Sequence, residues 1–416
     1  MPKTNKIQLN LNADQSLIDR EVPSQRILEI SVKALKADIQ KPRPPLNLAL
    51  VIDKSGSMSG DKLEYAKQAA TFVVDRLQED DQAALVAFGS HVDLLSSNLK
   101  MSNENRAAMK KKISQIKLEG MTNLSGGWLT GCQEVAAKIE ETSINRALLL
   151  TDGQANEGIT DLEELSMHAR ELANRGVTTS TFGIGLGFNE YLLEAMANQG
   201  RGNFYYIETP IGIPDIFMKE FSELSSVTAS NVEITIDIPQ HVNVEVLGSW
   251  SHEFQSGKLK IFAGNLFSDQ SLELYVKIMT PPSDHVNELL LPAKLIARDE
   301  NSNVVESEAT LKFQYAEQAS VQAEPRNHDL LERFSAVDMA DKSIKALKLE
   351  RAGRREEAHR LMKQTILENR PYMSNEEEVK YTNISQRVQR GMDEFDRKST
   401  HYDEFLRKRR RDTNDL

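Results

Sequence analysis

The sequence predicts an α/β chain: a doubly wound, mostly parallel sheet flanked by helices, joined to an antiparallel β-sandwich and a C-terminal helical region. Three observations carry that expectation. From Leu46 to about Ser226, near-continuous apolar runs alternate with helical stretches, as strands buried on both faces of a parallel sheet do. Between residues 231 and 315, apolar and polar residues alternate at period two with turn residues between the runs, the pattern of a sandwich. Beyond Pro325 the apolar spacing turns helical. The resulting domains are 1–45, N-terminal strands that join the sandwich; 46–226, the α/β domain; 227–322, the sandwich; and 323–416, the helices.

In chain order, IQLNLNA and RILEISVKAL are strands without sheet partners nearby, so they are expected to join the sandwich, with the α/β domain inserted within it. KPRPP, with Pro42, Pro44 and Pro45, breaks the pattern. LNLALVID is a buried strand. KLEYAKQAATFVVDRL follows as a helix with Leu63, Ala66, Ala70, Val73, Val74 and Leu77 on one face. QAALVAFGS, INRALLLTDG, VTTSTFGIG and NFYYIE are the further strands, separated by helices that include GGWLTGCQEVAAKIEE and LEELSMHARELANRG. IPDIFMKEFSELSSV is the last helix before the sandwich. In the C-terminal region a helix broken at Gly353 precedes a second long helix after Pro371, NEEEVKYTNISQRVQRGMDEFDRKSTHYDEFLRKRRR. The first of these resembles a single helical-repeat unit, which cannot bury its own face.

Bulk properties narrow the function. At 39% hydrophobic and 27% charged, the chain has the composition of a globular protein. A net charge of -11 argues against coating nucleic acid, which requires an excess of Lys and Arg. The start, MPKTNKIQLNLNADQ, has no apolar signal core, and no run of about 18 apolar residues offers a membrane span. Cys132 is the single cysteine, so neither an intrachain disulfide nor a cysteine-based zinc site is expected. A cytoplasmic location follows, with Cys132 as core filler.

Three dispersed pieces carry chemistry. LALVID ends in Asp53 and runs into DKSGSM, giving Asp-x-Ser-x-Ser at Asp53, Ser55 and Ser57. GMTNLSGG places Thr122 before a helix, and ALLLTDG ends a strand next to Asp152. All three lie at the sheet edge where α/β folds bind ligands. Hydroxyl and carboxylate oxygens are hard ligands, suited to Mg²⁺, Mn²⁺ or Ca²⁺ rather than zinc or copper. The competing explanation is helix capping by Ser55 or Ser57. Capping covers the first piece and leaves Thr122 and Asp152 unexplained.

This combination resembles the metal-ion-dependent adhesion site of von Willebrand factor A domains, and the resemblance covers roughly residues 46–226, including FGIGLG. It implies that Ser55, Ser57 and Thr122 are hydroxyl ligands, while Asp53 and Asp152 reach the metal directly or through water. It also implies a metal-dependent protein-interaction module in which a partner's Asp or Glu carboxylate completes the shell. Intracellular bacterial proteins of similar make-up work beside MoxR-type AAA ATPases or in multi-component assemblies, so such a partner is implied too.

Other signals carry less. Gly183, Gly185 and Gly187 have the wrong spacing for a dinucleotide loop. None of the 8 histidines, His91, His168, His241 and His252 among them, forms H-x-x-x-H or adjoins an obvious nucleophile. DKSGSM lacks the second aspartate of a phosphatase D-x-D, so an enzyme is not expected and a metal-assisted hydrolase is the lesser alternative. The main alternative is a scaffold subunit whose metal only stabilises the fold and whose helices bind. The basic run Arg407–Lys408–Arg409–Arg410–Arg411 is expected to be solvated and frayed. Met101, Met121 and Trp128 serve either as apolar contacts around the docking face or as core.

Overall fold

The structure, a computed structural model, describes residues 7–34, 43–140, 142–225, 227–267, 270–299 and 303–409. It divides into two compact units, one holding the sandwich and C-terminal helices, the other the α/β sheet. Pro42 of the proline linker, Glu141 and Leu35, the last residue of the RILEISVKAL run, lie outside the described residues.

The sandwich begins with β1 (Ile7–Ala13), β2 (Leu17–Asp19) and β3 (Ser24–Ala34). The chain then enters the α/β unit: β4 (Leu46–Asp53), α1 (Lys62–Arg76), β5 (Gln82–Phe88), β6 (Val92–Lys100), α2 (Asn103–Ser114), α3 (Leu124–Ala136), β7 (Ile144–Thr151), α4 (Leu162–Asn174), β8 (Thr178–Ile184), α5 (Glu190–Gln199), β9 (Arg201–Ile207) and α6 (Ile213–Ser225). Its sheet runs β6-β5-β4-β7-β8-β9, parallel except for β6 against β5. β4 and β7 are buried at every position, because side chains on both faces of a central strand meet neighbouring elements. All six apolar residues assigned to the α1 face are buried, with Leu77 just past the helix end. Strand β6 has no counterpart in the sequence reading.

Helix α3 shows tertiary packing overriding propensity. It carries Gly126, Gly127 and Gly131, poor helix formers. A Cβ on Gly131 would lie 2.4 Å from Val51, and one on Gly127 2.4 Å from Phe88. Glycine there lets the helix approach the sheet closely, and the indole of Trp128 reaches across to donate to Thr179 Oγ1 at 3.1 Å.

The chain then continues through β10 (Val227–Asp237), β11 (Asn243–Val246), β12 (Ser251–Gln255), β13 (Lys258–Phe267), β14 (Ser271–Thr280), β15 (Glu288–Asp299) and β16 (Val304–Ala316). One sheet is β1-β3-β14-β11 and the other β12-β13-β10-β15-β16-β2. Leu28, Ile30 and Val32 of β3 share one core with Leu274, Val276, Ile234, Leu295 and Phe313.

The helices are α7 (Gln318–Ala323), α8 (His328–Arg351), α9 (Arg355–Asn369), α10 (Asn375–Arg390) and α11 (Glu394–Lys408). The second long helix expected after Pro371 is corrected to two helices, α10 and α11. Gly391 breaks it at φ 97°, where a Cβ would sit 2.7 Å from the Arg355 guanidinium. Asp393 then caps α11 by accepting from the Asp396 N–H at 2.7 Å. The break turns α11 onto α8 while α10 packs on α9. Met339, Leu347, Met362, Tyr381, Ile384 and Val388 fill the space between these helices, and Phe334 and Val337 of α8 pack with Ile27 and Tyr275 of the sandwich.

The basic run is the second correction. Lys408 and Arg409 are buried rather than frayed. Lys408 Nζ donates to Ser249 Oγ at 2.7 Å, and the Arg409 guanidinium lies 4.2 Å from the Trp250 ring centre, a cation–π contact. Arg410 and Arg411 lie outside the described residues. No helix among the described residues is long and apolar enough to cross a membrane.

Candidate metal centre

Two adjacent parallel strands set the site. Ile52 of β4 lies opposite Leu150 of β7. Asp53 is the last residue of β4, and Asp152 follows Thr151 at the end of β7. Both carboxylates are fully buried at the carboxyl edge of the sheet.

Each is held by its own surroundings. Asp53 Oδ1 accepts the Ser55 N–H at 2.8 Å, and Oδ2 accepts the Thr151 hydroxyl at 2.5 Å. Thr151 Oγ1 in turn accepts the Gly153 N–H at 2.8 Å. After Asp53 the chain tightens into a 3₁₀ turn, Gly56–Met58. Ser55 Oγ and Ser57 Oγ lie 3.0 Å apart, and Ser57 Oγ donates to Asp152 Oδ1 at 3.0 Å. Asp53, Ser55, Ser57 and Asp152 therefore form one polar cluster. Neither serine caps α1, whose N-cap residue is Asp61, and Ser55 makes no side-chain cap to the 3₁₀ turn. The capping explanation does not describe these serines.

Thr122 is placed by its main chain. Its N–H donates to Asn156 Oδ1 at 2.8 Å, and its carbonyl accepts the N–H groups of Asn156 and Glu157, both at 3.2 Å. The same loop is tied to the serine turn by the Gly56 N–H on the Gly120 carbonyl at 2.9 Å. Thr122 is 1% exposed, and among the described residues its hydroxyl has no hydrogen-bond partner. No hydrogen bond links its side chain to the other four.

Burial pushes the Asp53 carboxyl up to about 6; the neighbouring Asp152 adds to this, and hydrogen bonds from Ser55 and Thr151 oppose it. Lys62, the first residue of α1, supplies a cation: its Nζ donates to Asp152 Oδ2 at 3.0 Å and to the Ser57 carbonyl at 2.9 Å. The Lys62 stem runs past the Gly185–Gly187 turn, where a Cβ on Gly185 would lie 3.1 Å from its Cε. At the rim, Lys54 pairs with Asp93 at 2.7 Å and with Glu119, and Glu119 also meets His91 Nδ1 at 2.5 Å. That hydrogen bond raises the His91 pKa, while Lys54 and His91 hold Glu119 below the usual carboxylate range. Met101 and Trp128 are wholly buried core residues, whereas Met121 is half exposed.

The donor set suits a hard divalent ion. All five side chains offer oxygen, two of them carboxylates, and among the described residues no side-chain hydrogen bond engages the hydroxyl of the buried residue Thr122. Among the described residues no group of three or more His, Cys, Asp or Glu is placed to hold a metal. Cys132 is buried, its thiol pushed up to about 12 by that burial, as inert core. Sequence reasoning missed Thr151, Lys62 and Asn156. Thr151 adjoins Asp152 in LLLTDG, and Lys62 begins the helix after the serine turn, but their roles come from contacts across the fold.

A doubly wound sheet with oxygen donors gathered at the carboxyl ends of two central strands defines a class of ligand-binding α/β domain. Residues 47–219 match the von Willebrand factor type A domain, so this unit is a VWA domain. A Synechocystis protein, sll0103, is 35% identical over 243 residues, which are 58% of this chain and 56% of that protein. The chain thus spans little more than half the length of that relative. Among solved structures, a von Willebrand factor type A protein from Catenulispora acidiphila has a TM-score of 0.67 at 18% identity, covering 89% of each chain. The ArnB paralog VWA2 from Sulfolobus acidocaldarius has a TM-score of 0.63 at 17% identity, covering 97% of this chain and 99% of its own. These two likenesses show the fold.

Proposed function

We propose that this chain is a metal-dependent protein-interaction module. Asp53, Ser55, Ser57, Thr122 and Asp152 hold a Mg²⁺, or Mn²⁺ or Ca²⁺, and the site binds an Asp or Glu carboxylate of a partner protein. The observation that carries this reading is the side-chain arrangement: four of the five oxygen-bearing residues form one hydrogen-bonded cluster in which Asp53, Ser55 and Asp152 are buried and Ser57 is half-buried, and the fifth, Thr122, is a buried residue whose hydroxyl makes no hydrogen bond among the described residues. A hard divalent ion bound there supplies an electrophilic centre with exchangeable water positions that a carboxylate oxygen can take. The chain's own part is to hold the donors in place. Thr151 and the Ser55 N–H fix Asp53, Asn156 fixes the Thr122 loop, and the Gly56–Gly120 bond joins that loop to the serine turn. A subunit of a MoxR-type AAA ATPase or another multi-component assembly is the partner we propose.

Calorimetry with Mg²⁺ and partner capture with and without chelator test the reading. Capture is expected to require metal and to fail with Asp53→Ala and Thr122→Ala. Capture that is equal in both variants and insensitive to chelator would instead assign binding to the helical region.

A further inference from the structure

The cluster contains a cation of its own that the donor set does not require. Lys62 Nζ bonds Asp152 Oδ2 at 3.0 Å and the Ser57 carbonyl at 2.9 Å, so it sits directly on two of the residues assigned to the metal. Its side chain is 25% exposed against 0% for Asp152, so a partly exposed cation pairs with a fully buried carboxylate. The 3₁₀ turn brings the Ser57 carbonyl to the lysine, and the Gly185–Gly187 turn lies against its stem. A Cβ on Gly187 would come 3.2 Å from Nζ.

We propose that Lys62 is a positioning residue that sets the charge of the site, making divalent-ion binding weak on its own and dependent on an anionic ligand. The inference rests on the metal-site reading above. Two aspartates and one lysine give the cluster a formal charge of minus one, so a divalent ion leaves it with one net positive charge. One carboxylate from outside then brings it to neutrality. Without Lys62 the two aspartates alone neutralise the ion, and an incoming carboxylate gains nothing from net charge. Lys62 also holds the Asp152 Oδ2 lone pairs through a charge-assisted hydrogen bond, so an ion that draws on Asp152 competes with it. The lysine thus makes the site select for carboxylate-bearing partners over retention of a bare metal.

The test titrates Mg²⁺ calorimetrically into the metal-stripped full chain and into Lys62→Met and Lys62→Arg, with circular dichroism as the check on folding and Lys62→Gln replacing Lys62→Met if the latter does not fold. Removal of the positive charge is expected to tighten Mg²⁺ binding about tenfold, while Lys62→Arg stays near the wild type. The second arm loads each protein with Mn²⁺ and titrates N-acetylaspartate amide, read by the fall in water-proton relaxation as metal-bound water is displaced. The wild type is expected to bind this probe about tenfold more tightly than Lys62→Met. Equal or weaker Mg²⁺ affinity in Lys62→Met overturns the role given to the lysine and leaves the metal site standing. Absence of divalent binding in every protein, wild type included, overturns the metal reading and this inference with it.

Discussion

The α/β unit contains two buried carboxylate clusters made of similar parts, and they differ in how completely the chain satisfies them. Glu220 on α6 accepts from Arg146 Nη1 at 2.8 Å, Ser180 Oγ at 2.7 Å, Asn203 Nδ2 at 2.6 Å and Tyr205 OH at 2.9 Å. Burial pushes its carboxyl up, but Arg146, by charge and hydrogen bond, with help from Asn203 and Ser180, holds it below the usual carboxylate range. Asp53 is equally buried, and that burial pushes it up to about 6, because only neutral donors, Ser55 and Thr151, oppose it and the charge of Asp152 adds to it. One cluster is finished by the chain itself and ties α6 to β7, β8 and β9. The other gathers two carboxylates beside a single lysine, with neutral hydroxyl and N–H donors supplying the remaining hydrogen bonds. Burial of an acid does not by itself mark a site; incomplete satisfaction does.

The largest expected effect is on the completed cluster. Glu220→Ala leaves Arg146 buried and uncompensated, and urea denaturation should show a loss of about 3–5 kcal/mol. A loss below about 1 kcal/mol would remove the contrast between the clusters, since surface pairs reach only that much. The same cluster has a pH signature. A folded pKa below the unfolded one adds stability that is full above the unfolded value and lost as pH falls through the folded value. Glu220→Gln should therefore flatten the acid side of the stability–pH curve and leave the neutral-to-basic side parallel to the wild type.

The incomplete cluster is expected to respond to metal instead. Mg²⁺ at a hundredfold over its dissociation constant should stabilise the wild type by about 2.7 kcal/mol, seen as a rise in Tm that EDTA reverses. In Asp53→Ala that rise should vanish. Metal-free Asp53→Ala should lose little stability or gain some, because a buried, poorly compensated carboxylate has been removed; a severe loss without metal would place Asp53 with Glu220 as structure. Thr122→Val is the smallest test. Its hydroxyl makes no hydrogen bond among the described residues, so metal-free stability should stay within about 0.5 kcal/mol of the wild type while Mg²⁺ affinity falls several-fold. Unchanged Mg²⁺ affinity would remove Thr122 from the donor set.

What was legible in the sequence follows from where information is local. The central strands announce themselves because both of their faces are buried, so LNLALVID and INRALLLT read as unbroken apolar runs. β6 does not, because it is a half-exposed edge strand whose register against β5 shifts twice, erasing the alternation. The break between α10 and α11 rests on a single glycine inside an otherwise helical pattern, and only the return of each helix to a different neighbour reveals it. The basic run looks solvated until Trp250 and Ser249, distant in sequence, are seen beneath it. The five site residues stand at strand ends in recognisable local patterns, so the sequence nominated them. Lys62 reads as an ordinary first-turn lysine, and nothing near it in the chain shows that it reaches Asp152.

The pairing of β3 with β14 has a consequence for how the protein is made. Lys33 lies opposite Ser271, and between them the ribosome must produce the whole α/β unit. At about 5–20 residues per second, roughly ten to fifty seconds of synthesis separate the two strands. For most of that interval Leu28, Ile30 and Val32 have neither β14 to pair beside nor the second sheet, which begins to emerge with β10, to cover them. The nascent chain therefore carries an unfinished apolar ribbon while the VWA domain is completed, and its yield in the cell depends on what shields that ribbon until β14 arrives.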